Sequence, residues 1–112
     1  MSQKSLTIAD DATASPGFST PGESLIGLIL PTLDSTTISF AFSLDDSTYV
    51  TVYTNIHGAA PAILNLGTAV TTARVVAVPE EVGRLASVGF LRLVLATQSG
   101  GPYTVTALFD KR

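Results

Sequence analysis

Hydrophobic and polar positions alternate most clearly over residues 36–53. Ile38, Phe40 and Phe42 alternate with Thr37, Ser39 and Ala41, the period-two pattern of a strand with one buried face. Asp45, Asp46 and Ser47 interrupt the run, and Tyr49, Thr51 and Tyr53 then alternate with Val50 and Val52. The segment predicts a β-hairpin closed by one tight acidic turn.

The same rule extends along the chain. Residues 4–9 predict a short first strand with Leu6 and Ile8 on one face. Residues 24–30 are nearly continuous in apolar side chains and stop at Pro31, which predicts a central strand buried on both faces. A weak strand is expected around residues 62–66, a valine-rich one over 74–78, and two alternating ones over 90–96 and 103–109. Between them Pro79, Glu80 and Glu81 have the composition of a helical first turn, and Gly83 is expected to end it. Short strands at this spacing imply an all-β protein, a jelly-roll-like antiparallel β-sandwich of about eight strands with at most one short helical turn. Its core should contain Leu28, Leu30, Ile38, Phe40, Phe42, Val50, Val52, Leu91, Leu93, Val105 and Phe109. One domain is expected, in which residues 1–23 form a strand and an arm and residues 24–112 form the sandwich.

Residues 10–23 are rich in Ser, Thr, Pro and Gly and contain two turn dipeptides, Pro16-Gly17 and Pro21-Gly22. A connector of this length is either a mobile surface loop or a segment ordered by a partner. On the second reading Thr13, Ser15, Pro16, Phe18 and Pro21 belong to a partner interface. Arg84 and Arg92 join them as isolated cations suited to a few specific bonds with carboxylates, within the fold or on a partner.

Composition narrows the classes. Of the 112 residues 13% are charged, against about 25% in typical soluble domains. Thr, Ser, Ala and Gly must therefore cover much of the exterior, which suits a surface covered by partners as well as a monomer with a Thr-rich exterior. The chain has no cysteine, so neither a disulfide framework nor a thiolate zinc site is available. The first eleven residues carry only Lys4 as a cation and no apolar core, and the longest apolar run, residues 25–30, is far short of the roughly 20 residues a membrane helix needs. Neither a signal segment nor a membrane span is expected. A net charge of -3 with scattered arginines lacks the basic cluster and aromatic stacking of a nucleic-acid site.

Catalytic chemistry finds little to work with. His57 is the sole histidine and sits beside Gly58 in a turn, the setting of a solvated loop residue rather than a general base. Asp45, Asp46 and the nearby Asp34 could offer oxygens to a hard cation, but no calcium-loop spacing is present. The same Asp and Ser residues are what a turn requires for bonding its own backbone. No metal, no cofactor and no enzymatic activity are expected.

Three segments together carry a family likeness. They are Leu25-Ile26-Gly27-Leu28-Ile29-Leu30-Pro31, the hairpin Thr37 to Tyr49 with Val52-Tyr53, and Gly89-Phe90-Leu91-Arg92-Leu93-Val94. In this order the chain resembles small β-sandwich virion structural proteins of tailed bacteriophages. It departs from them at Leu44-Asp45-Asp46-Ser47, where such proteins often have Asp-Gly. The resemblance implies a capsid cement or decoration protein that clasps neighbouring major capsid subunits on the head surface, often as a homotrimer. It leaves two alternatives: a tail, baseplate or head-fibre component, and a carbohydrate-binding sandwich that stacks sugars on Tyr49, Tyr53 and Tyr103.

Overall fold

Each crossing of the chain takes it from one antiparallel sheet to the other, and the apolar side chains between the sheets drive that path. The computed structural model describes residues 2–32, 37–53, 63–65, 73–95 and 102–111. It contains eight strands: β1 (Ser2–Ile8), β2 (Glu23–Leu30), β3 (Thr37–Ser43), β4 (Val50–Thr51), β5 (Ile63–Asn65), β6 (Arg74–Ala77), β7 (Phe90–Val94) and β8 (Tyr103–Lys111). The first sheet has the order β1-β8-β2-β6. In the second, β3 pairs with β7 on one side and with both β4 and β5 on the other. The fold is an all-β sandwich, as expected.

The connector between β1 and β2 completes the second sheet. Ala14 and Phe18 form antiparallel bridges with Val94 and Leu91, so residues 13–18 run along the free edge of β7. With this segment included, the second sheet reads arm-β7-β3-(β4, β5). The alternation of the chain between sheets is then that of a jelly roll. Residues 2–23 are thus built into both sheets rather than preceding the sandwich.

Burial follows the alternation on β1, β7 and β8, whose inward side chains are Leu6 and Ile8, Leu91 and Leu93, and Val105, Ala107 and Phe109. On β2 it does not, for a specific reason. The pairing with β8 shifts between Leu25 and Gly27, so Ile26 is the extra residue of a β-bulge. Leu25 on one side of the bulge and Leu28 and Leu30 on the other all reach the core, although Leu25 and Leu28 are an odd number of residues apart. The apolar run in the sequence is therefore a phase change, and Ile29 lies exposed on the outer face.

Two expectations at the hairpin are corrected. Phe42 pairs with Val50, so the connection is a longer loop through residues 44–49 rather than a tight turn. Val50, expected in the core, is 65% exposed, because β4 has only two residues and lies at the sheet edge. Phe42 and Val52 pack against the core only in part. Gly83 is the last residue of the α-helix α1 (Glu80–Gly83), as expected, and a separate 3-10 turn, Arg84–Ser87, follows it. Gly83 also packs closely on β2, where a Cβ would overlap the carbonyl oxygen of Leu25.

Candidate interaction surface

The arm's chemistry starts from Pro16, which has no N–H to give and prevents a regular ladder with β7. Backbone bonds therefore form only around it: Ser15 N–H to Leu93 O at 2.9 Å, Phe18 N–H to Leu91 O and Leu91 N–H to Phe18 O at 2.9 Å, and Leu95 N–H to Thr13 O at 2.8 Å. The buried N–H of Leu93 finds its acceptor in the Ser15 hydroxyl at 2.9 Å, and that hydroxyl donates to the Pro16 carbonyl. Phe18, the one large apolar residue of the arm, is 1% exposed and meets the Phe109 ring edge-on at 5.8 Å.

This corrects the expected interface. Ser15 and Phe18 are spent inside the chain, because an aromatic ring and an edge hydroxyl are each better placed against the sandwich than in water. Thr13, Pro16 and Pro21 remain exposed on the outer side of the arm. Arg84 is exposed and donates to the Glu80 carboxylate at 2.8 Å, an i,i+4 pair along the helical turn. Its carboxylate partner thus lies within the fold.

The loop through residues 44–49 closes on its own side chains. Asp45 Oδ1 accepts the Ser43 hydroxyl at 2.8 Å and the amides of Ser47 and Thr48 at 3.0 and 3.1 Å. The Ser43 hydroxyl foremost, then these amides, hold the Asp45 carboxyl below its ordinary pKa. With its lone pairs engaged in this way, Asp45 serves the turn. Asp46 adopts a left-handed backbone and accepts the Tyr49 hydroxyl. Among the described residues no group of three or more His, Cys, Asp or Glu could hold a metal; Asp34 and His57 lie outside them.

Tyr49 links the loop to the arm and to β7. Its hydroxyl lies where a Cβ on Gly17 would stand, which is a reason for glycine at that position. Its ring carries the Arg92 guanidinium at 4.2 Å from the centroid. Desolvation first, and then the Asp46 carboxylate, push the phenol up to about 12, so the ring stays neutral. Arg92 is half-buried, and its Nε is enclosed without a hydrogen-bond partner. Residue spacing alone leaves open whether Arg92 is half-buried or paired; in the structure it is half-buried and stacked on an aromatic ring. Tyr103 belongs to the first sheet and packs against the core, while Tyr49 and Tyr53 belong to the second-sheet side. The three tyrosines do not form one platform.

The outer face of the first sheet is a different surface. Register places Ser5, Thr106, Ile29 and Val75 in one row across β1, β8, β2 and β6. Gln3, Leu108, Gly27 and Ala77 form a second row, and Thr7 stands opposite Thr104. No charged side chain stands in these rows. The periodicity signalled this face, but the bulge at Ile26 hid which β2 residues lie on it.

A groove of about 500 Å³ runs beside α1, lined by Ser24, Glu81, Arg84, Leu85, Ser87 and Val88. Ser24 Oγ is enclosed and has no hydrogen-bond partner, so the groove offers no activated nucleophile among the described residues. No helix among the described residues is long and apolar enough to cross a membrane. Comparisons of the chain with family models, with curated proteins and with solved structures find no match.

Proposed function

We propose that this chain is a non-enzymatic assembly protein, a small jelly-roll sandwich that works by being pressed against neighbouring protein. The observation that carries this reading is the row Ser5, Thr106, Ile29 and Val75 on the outer face of the first sheet, which holds an exposed apolar pair and no charge. Such a row holds no charge that burial would have to desolvate, and it lacks the like-charge repulsion that keeps copies apart. The specific form proposed is a virion role, that of a capsid cement protein binding major capsid subunits on the outside of a phage head. Its support is the family likeness of the hairpin and of the Phe90-Leu91-Arg92-Leu93 strand. Many modest contacts repeated over a closed lattice add through effective concentration, so shell stabilisation needs no chemistry.

The test is a charge placed in the middle of the face. Ile29→Asp and Thr106→Glu should leave the isolated fold intact and abolish association with heads, read by sedimentation of purified particles. Heads lacking the chain should lose resistance to heat and chelator. Virions that contain no copy, or a double variant that associates as the wild type does, would sink the reading.

A further inference from the structure

The sandwich has a second, chemically opposite surface on the outer side of the second sheet. Arg92 alternates with the core residues Leu91 and Leu93 and so projects away from them, with Ala41 as its register partner on β3 and Thr51 beyond it on β4. Small uncharged neighbours leave its guanidinium without an acceptor, and no ion pair or hydrogen bond to it exists among the described residues. A cation held in this way is poised rather than satisfied. Tyr49 fixes the plane of the guanidinium, Asp46 holds the Tyr49 hydroxyl, and Gly17 lets that hydroxyl pack against the arm.

The enclosed Nε also sets the approach. A planar anion that bridges Nε and one terminal nitrogen is excluded, which leaves end-on pairing with the two terminal nitrogens, a geometry a carboxylate fits. Asp45 and Asp46 stand close to Tyr49 and disfavour a doubly charged ligand more than a singly charged one. The phenol stays neutral and so does not compete as an internal anion.

We infer that the Arg92–Tyr49 stack receives a carboxylate side chain from a second copy of this chain. The acid is available on the chain itself. Acidic residues outnumber basic ones, nine to six, and Asp11 and Glu81 are exposed with no hydrogen bond or ion pair among the described residues. Arg92 lies on one element and these acids on others, so two copies can exchange the pair across a two-fold axis or join head-to-tail into a ring. The inference rests on the assembly reading for its purpose, and its chemistry is tested separately.

Sedimentation of the full chain across concentration, with and without added sodium acetate at ionic strength matched by sodium chloride, reads the contact. Association is expected in the wild type and should be weakened by acetate beyond the chloride control. It should be lost in Arg92→Met, which keeps the stem, and not rescued by Arg92→Lys, which keeps the charge without the fork. Glu81→Gln or Asp11→Asn should reproduce the loss while leaving Arg92 and its backbone amide spectrum unchanged, so the result does not depend on folding of the Arg92 variants. Undiminished association in Arg92→Met, or an acetate effect no larger than that of chloride, overturns the inference and leaves the assembly reading standing. Arg92→Met chains that self-associate normally yet fail to join particles overturn it in favour of a carboxylate on a different protein. A wild type that stays monomeric yet joins particles also overturns it and leaves the assembly reading standing.

Discussion

The arm through residues 13–18 and the loop through residues 44–49 are connectors of equal length with different structural roles. Both are short polar stretches with turn-forming residues, yet the arm forms an edge of the second sheet while the loop closes on itself. What separates them is one side chain. Phe18 has enough apolar area to draw the arm across the open edge of β7, whereas Leu44 in the loop is 78% exposed. Composition marks a segment as a connector; the fully buried Phe18 makes the arm part of the core as well, whereas the aromatic residue of the loop, Tyr49, is only half-buried.

The comparison can be broken most directly at Phe18. Phe18→Ala should destabilise the fold by about 3 to 5 kcal/mol, measured by denaturant unfolding; a change near zero would return the arm to the status of a surface loop. Ser15→Ala should come next, at about 1 to 3 kcal/mol, because the buried N–H of Leu93 loses its acceptor. Amide exchange at Leu93 should quicken in that variant.

On the loop side the effects shrink. Asp45→Ala should lower the melting temperature less than Ser15→Ala does, since its bonds are made in solvent. The difference from the wild type should depend on pH in a defined direction. The folded carboxyl titrates below the ordinary value of 3.8, so its contribution is present above that value and lost as the pH falls through the lowered one. A melting difference that grows on acidification would contradict the bonding described. Smallest of all, Val50→Thr should change stability by no more than about 0.5 kcal/mol, since the side chain is already in water. A loss above about 1 kcal/mol would put β4 back into the core.

The same contrast explains what could be read from the sequence. Strict alternation sufficed for β1, β7 and β8, and for the inward face of β3 as far as Phe40, because each has one face toward the other sheet. It failed on β2, where a bulge at Ile26 turns a mixed strand into an unbroken apolar run. It failed at Val50 too, since periodicity reports which way a side chain points but not whether another layer extends far enough to cover it. Pro16 and Gly17 read as breakers, and they do break the ladder; the Ser15 hydroxyl then supplies the missing acceptor, which no propensity encodes. Arg92 was visible as a cation among leucines. Its partner, an aromatic ring from the far side of a hairpin loop, depends on tertiary placement.

β1 pairs with β8 over its whole length. Ser2 stands opposite Phe109 and Ile8 opposite Tyr103, so the first and last strands bring the two ends of the sandwich to the same corner. Tension applied between those ends would load the rungs of this ladder one after another, as a zipper is opened, because antiparallel bonds lie across the strands. Force arriving broadside through the sheet faces would instead be shared by the whole packed interior. The molecule is thus weak to being pulled by its ends and strong to being squeezed.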